Sequence, residues 1–260
     1  MTPRRSRACR ALSALGAVLL ACAGCAQDPS RTPPAAPPAG AVAAGTVLGS
    51  SVVTGLVTFA GKVPSMEPIS MGSDRNCHRR SDGDPVREEY VVKAGGALKN
   101  VFVRVVSGLE GKVFAPPEAP VELDQRGCVY RPHVAGVQAG QPVVLINSDP
   151  TLHNVHIVAQ HNKAFNVGMS IEGQRMTRYF HQPEIMIKAK CDVHPWMSAW
   201  IGVVEHPYFA VTGDDGGFSI PGLPPGTYAL ELWHEALGTR RVEVTLGDGE
   251  TKRISETFPG

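Results

Sequence analysis

The apolar positions along this chain fall into short runs bounded by turn formers. VVTGLVTF at 52–59 stops at Gly61 and Pro64, and LKNVFVRVV at 98–106 stops at Gly108. VVLI at 143–146 runs into Asn147, Ser148, Asp149 and Pro150, and VHIV follows at 155–158. IMIKAK at 185–190 and WIGVV at 200–204 flank a cysteine-containing loop. Each run is rich in β-branched residues and short enough for a strand, and no long stretch has the 3.6-residue period of an amphipathic helix. The pattern therefore predicts an all-β protein built from sandwiches.

A second unit is expected from about Pro207. The turn Gly213, Asp214, Asp215, Gly216, Gly217 leads into an alternating FSI at 218–220, and the turn-rich LPPGT at 223–227 precedes YALELW at 228–233. RVEVTL at 241–246 is read as the last strand. Fifty-four residues make a thin core, so this unit is expected to pack on the preceding one or to borrow the strand at 52–59. The acidic turn lacks the terminal bidentate Glu of a calcium loop and reads as a plain turn.

The first 21 residues fall outside this pattern. Arg4, Arg5, Arg7 and Arg10 precede an apolar run from Ala11 to Ala21, the layout of an export signal, and the run is too short to span a bilayer. VLLAC at 18–22 resembles a lipobox, which marks Cys22 as the lipidated first residue of the mature chain; Cys25 is the competing cysteine. Residues 22–50, with Pro29, Pro33, Pro34, Pro37 and Pro38, read as a semi-stiff linker. Losing residues 1–21 removes four arginines and no acids, which moves the formal charge from +1 to −3. No basic run is left to bind nucleic acid, and membrane attachment is expected through the lipid alone.

The candidate chemistry lies in CDVHPWM at 191–197. Cys191, His194 and Met197 place a thiolate, an imidazole and a thioether at three-residue steps after a strand. Soft sulfur with imidazole suits copper, and two His, one Cys and a weak Met describe a blue-copper site. Zinc accepts Cys and His but rarely Met. The second imidazole must come from elsewhere. His153 and His156 both lie in the TLHNVH segment at 151–156, and an odd spacing on a strand sends them to opposite faces. His153, at the turn, is the better donor. Cys191 is the only cysteine of its loop, which excludes a binuclear centre. Lys190 and Asp192 beside it exclude the adjacent His that would wire it to a second copper.

In their order, GQPVVLIN at 140–147, His153–Asn154, and Cys191, His194, Pro195 and Met197 resemble the cupredoxins, with a short loop most like that of amicyanin. The resemblance covers about residues 121–206. It implies a Greek-key β-sandwich, a single type 1 copper, Asn154 tying the ligand loops together, and His194 near the surface as an electron port flanked by Pro195 and Trp196. Residues 207–260 resemble the transthyretin-like and carboxypeptidase-regulatory-like, carbohydrate-binding-like sandwiches, and residues 51–120 are a β segment that packs on either unit. Function follows as one-electron transfer to a partner protein, without enzymatic turnover, at the periplasmic or outer envelope. The other reading is an envelope binding or copper-storing protein.

Cys77 and Cys128 remain. They either form a disulfide, which an exported compartment permits, or serve a second soft-metal or haem-like role with His78 and His133 nearby. No Cys-x-x-Cys-His supports covalent haem.

The export reading predicts a mature chain that begins at a lipidated Cys22 and partitions with membranes, since more than one acyl chain gives stable anchoring. Intact mass and fractionation check it. An unmodified soluble chain starting after Cys25 contradicts it.

Overall fold

A computed structural model describes residues 48–66, 68–72, 74–80 and 86–260. The export signal, Cys22 and most of the linker lie outside the described residues. Within them the protein is nearly all β, and no helix is long and apolar enough to cross a membrane.

Strands β3 (Val121–Gln125), β4 (Tyr130–Arg131), β5 (Val134–Gln138), β6 (Pro142–Asn147), β7 (His153–Val158), β8 (Phe165–Met169), β9 (Gln174–Tyr179), β10 (Glu184–Lys190) and β11 (Ser198–Val204) make the first sandwich. One sheet has the order β5-β11-β10-β7-β8 and the other β4-β3-β6-β9. They close on a core that includes Leu123, Leu145, Val155, Ile157, Ile187, Ala189 and Ile201. These alternate along their strands, as a half-buried sheet requires.

The second sandwich is assembled from the two ends of the described chain. Strand β1 (Ser51–Phe59) lies between β13 (Gly217–Leu223) and β16 (Thr251–Phe258). Strand β2 (Phe102–Ser107) lies between β12 (Phe209–Val211) and β14 (Gly226–His234), with β15 (Gly238–Leu246) at the edge. β1 alternates buried and half-exposed positions over its whole length, and its Val53, Val57 and Phe59 enter a core with Leu230, Leu232, Ile220 and Phe258. The small C-terminal unit thus gains two strands and an inner face it could not supply from its own residues.

Two expectations need correction. Residues 241–246 are not the last strand, because β16 follows and pairs in parallel with β1 along its length. β16 carries Lys252, Arg253, Ser255 and Glu256 on a mostly exposed ladder, so it has almost no hydrophobic signature. The run at 98–106 begins its strand only at Phe102, because Asn100 has φ 65 and breaks the extended conformation.

The segment between β1 and β2 contributes to the first sandwich as well. Met71 and Cys77 are buried in its core. Cys77 lies on the short helix α1 (Arg75–Arg80) and is bonded to Cys128, with the two Cα atoms 5.4 Å apart.

The sandwiches meet through a smaller apolar cluster of Phe102, Val134, Met186 and Val204, with Phe209 and Trp233 at its margin. Gly136 and Gly202 make room for it. A Cβ on Gly136 would stand 2.3 Å from the Phe209 ring and 2.8 Å from Phe102. Glu235 closes the same junction, pairing with His133 and accepting from Trp200 Nε1 at 2.8 Å.

Gly136→Ala is expected to lower stability by about 1–3 kcal/mol, since overpacking a filled junction forces ring and backbone shifts. Denaturant unfolding measures it. A variant as stable as the parent contradicts this description of the interface.

Candidate metal centre

β10 delivers Cys191 and β11 receives the chain again, so the intervening loop is a strand-closing turn. Lys190 pairs with Ser198 at its base. Inside it the Cys191 N–H donates to the Met197 carbonyl (3.2 Å) and the Met197 N–H to the His194 carbonyl (2.9 Å). The His194 N–H points at Cys191 Sγ, 3.3 Å away. The loop is thereby folded inward around its own sulfur. Met197 is buried in the same core as Cys191.

β7 pairs with β10 and supplies His153 to this end of the sheet. His153 is fully buried, whereas the His156 side chain is 33% exposed and binds the Asp192 carboxylate at 2.9 Å. The three-residue offset thus separates the two imidazoles, and only His153 joins Cys191 and His194. One ligand-type atom from each of these three residues lies within 4.8 Å of the others. His153 Nδ1 and His194 Nδ1 are 2.9 Å apart, and Cys191 Sγ is 3.8 Å from His194 Nδ1.

Asn154 fastens the two segments. Its side-chain oxygen accepts from the Asp192 N–H (2.7 Å) and the Val193 N–H (3.3 Å), and lies 3.3 Å from Cys191 Sγ. Its amide donates to Asn166 (2.7 Å) and Asp192 (3.2 Å). Tyr130 O–H donates to the Asn154 carbonyl at 2.6 Å. Burial, with the Cys191 and Asp192 charges nearby, pushes that phenol well above its usual range.

Two carboxylates complete the centre, and sequence reasoning assigned a role to neither. Asp149 Oδ2 is 2.9 Å from His153 Nε2 and also accepts from the Cys128 N–H at 2.8 Å. Asp74 Oδ2 is 3.3 Å from His194 Nε2 and accepts from Thr151 Oγ1 at 2.9 Å. Burial opposes ionisation of both acids, but these hydrogen bonds outweigh it and hold each below the usual carboxylate range. Asp149 stands four residues before His153, where it reads as a turn former. Asp74 lies far off in sequence and has no local signal.

Burial raises the Cys191 thiol, yet hydrogen bonds from His153, His194 and the Asn154 and His194 segments hold it down at about 6. Burial lowers His153, and the bonds to Asp149 and Cys191 overcome that and raise it.

The donor set fits a soft or borderline cation. An ionised carboxylate only accepts, so the nitrogen facing it is the protonated one on each ring. The two Nδ1 atoms then face one another at 2.9 Å beside the Cys191 sulfur, whose proton is the nearest one available to lie between them. Only a cation or a proton relieves that arrangement. The pairing of His Nε2–H with a carboxylate is the usual support for a metal-binding imidazole.

His194 is not at the surface. It is 2% exposed, because Asp74 and α1, bonded through Cys77 to Cys128, cover its Nε2 edge, and Cys77 Sγ is 3.5 Å from that nitrogen. The port implied by the resemblance is corrected to this extent. Pro195 is exposed, and Trp196 is half-buried with its ring centroid 5.0 Å from that of His194.

No family model matches the chain. No curated protein matches it. Among solved structures it is similar to a Cu-containing nitrite reductase from Thermus scotoductus SA-01, at 23% identity over 40% of this chain and 26% of that one, with TM-score 0.32. The chain thus spans about a quarter of that protein's length. It is also similar to a purple cupredoxin from Nitrosopumilus maritimus, at 21% identity over 32% of this chain and 99% of that one, TM-score 0.29. An oxidized mutant of amicyanin is similar at 21% identity over 39% of this chain and 92% of that one, TM-score 0.31. These likenesses are partial, and the reading of the site rests on its own geometry.

His153→Ala is expected to weaken copper binding at least about tenfold more than His156→Ala, since only the former removes an inward-facing nitrogen. A competition assay with a copper chelator measures it. Equal losses, or a larger loss at His156, contradict the assignment.

Proposed function

We propose that this protein is an exported copper-binding electron carrier, with His153, Cys191 and His194 as ligands and Met197 as a weak fourth. The observation that carries this reading is the convergence of two imidazole Nδ1 atoms, 2.9 Å apart, on the Cys191 sulfur, while both Nε2 atoms face carboxylates. Copper bound there would supply one-electron Cu(I)/Cu(II) chemistry.

The chain's own residues hold the donors still. Asp149 and Asp74 fix the planes of the two rings, and Asn154 pins the loop that carries Cys191 to the strand that carries His153. A donor set held this firmly changes little between oxidation states, and small reorganisation favours fast transfer over substrate chemistry. Burial of His153, Cys191 and His194 keeps water from the ligands. The redox partner is a protein that docks on the exposed side of the ligand loop. Lipid attachment at Cys22, with residues 22–50 as tether, would hold the carrier at the periplasmic or outer envelope. Residues 207–260 would serve as a carboxypeptidase-regulatory-like scaffold for the copper-binding sandwich.

Copper-loaded protein is expected to show intense visible absorption from thiolate-to-copper charge transfer, and Cys191→Ser is expected to abolish it with the fold intact. Visible and far-ultraviolet spectra of the two proteins check this. A colourless copper-loaded parent, or preferential zinc binding, contradicts the electron-carrier reading and favours a binding or storage role.

A further inference from the structure

The carboxylates behind the two imidazoles are linked through the covalent cross-link of this region. Asp74 Oδ1 accepts from the N–H groups of Asn76 (2.7 Å) and Cys77 (3.3 Å), so the same acid that faces His194 also holds the start of α1. Cys77 is bonded to Cys128. The Cys128 N–H donates to Asp149 Oδ2 (2.8 Å) and the Gly127 N–H to Asp149 Oδ1 (2.9 Å). The route from Asp74 through Cys77 and Cys128 to Asp149 therefore joins the outer edge of one imidazole to the outer edge of the other.

We propose that Asp74 and Asp149 are positioning residues that set the Cu(II)/Cu(I) balance of the site, and that the Cys77–Cys128 disulfide holds Asp74 in that role. This rests on the copper reading above. The physical reason is electrostatic. A carboxylate that takes the Nε2–H of a ligand fixes the ring and makes its other nitrogen a stronger donor. Two such negative charges at the far edges of both rings, Asp149 buried and Asp74 partly exposed, favour the more highly charged copper ion, the buried one more strongly. Each therefore lowers the reduction potential. Asp149 is buried and held by backbone N–H groups from the Gly127–Cys128 turn, so it is fixed by its own strand connection. Asp74 has no strand beneath it. It is held by the start of α1, by Thr151 and by the Met71 carbonyl, which accepts from its N–H at 3.1 Å, and α1 is tied down at Cys77. Without the disulfide, the cover over His194 Nε2 loses its one covalent attachment to the first sandwich.

The experiment uses the full chain loaded with copper, in the parent, Asp74→Asn, Asp149→Asn and Asp74→Glu variants, and in the double variant Cys77→Ser with Cys128→Ser. Potentials are read by voltammetry, and the visible band shows in each case that Cys191 still binds. Asp74→Asn and Asp149→Asn are each expected to shift the Cu(II)/Cu(I) equilibrium about tenfold toward Cu(I), a rise of about 59 mV. Asp74→Glu is expected to return toward the parent value, which a merely space-filling role would not produce. The double serine variant is expected to match Asp74→Asn and to add little when the two are combined, since both remove one interaction. In metal-free protein, diethyl pyrocarbonate is expected to label His194 in the double variant and to spare it in the parent.

Unchanged potentials in both Asn variants, with the visible band intact, overturn the inference and leave the copper reading standing. Full additivity of the disulfide and Asp74 changes, or a His194 that stays protected without the disulfide, overturns the tether. A parent with no reversible copper couple overturns the copper reading and this inference together.

Discussion

Asp149 and Asp74 each occupy the Nε2 side of an imidazole, and that commitment governs the rest of the centre. Because a carboxylate faces Nε2 of each ring, His153 and His194 turn their Nδ1 atoms inward, toward one another and the Cys191 sulfur. Two Nδ1 atoms 2.9 Å apart beside Cys191 need a proton or a cation between them. A protein that buries such a set pays in stability for a site organised around a cation.

The two sandwiches divide the work of building that site. The first carries every proposed ligand, His153 on β7 and Cys191, His194 and Met197 in the loop between β10, the neighbour of β7, and β11. The second draws in β1 and β2 from the other end of the chain, and the segment between those strands crosses to the first sandwich as the α1 cover. The cover is what separates this centre from the surface histidine implied by the amicyanin-like loop. With His194 shielded, Trp196 is the half-buried aromatic next to it, and its Nε1–H donates to the Cys128 carbonyl at 2.9 Å. The face beside Pro195 and Trp196 therefore differs in chemistry from an exposed imidazole edge.

Much of this was legible in the sequence where local chemistry decides the outcome. The β-branched runs at 52–59, 143–146, 155–158, 185–190 and 200–204 all lie within strands, because their apolar residues face a core. Strands β8, β9 and β16 were not legible. Polar residues such as Arg175, Thr177, Lys252 and Glu256 make up much of β9 and β16, which are strands because their backbones complete neighbouring ladders, while β8 has only three apolar positions, Phe165, Val167 and Met169, broken by Asn166 and Gly168. At the site, the three-residue steps of Cys191, His194 and Met197 and the odd spacing of His153 and His156 carry information, since a loop and a strand translate spacing directly into direction. Asp74 carries none, because its place at His194 depends on a chain reversal and on a disulfide whose cysteines are remote in sequence from the ligand loop they touch. The burial of His194 was hidden for the same reason.

The central claim is that two imidazoles and one thiolate of this chain converge on a single copper ion. X-ray absorption at the copper edge of the loaded protein tests it most directly. The account predicts one short copper–sulfur vector together with the multiple-scattering pattern of two imidazole rings. A shell of light nitrogen and oxygen scatterers with no sulfur would contradict it.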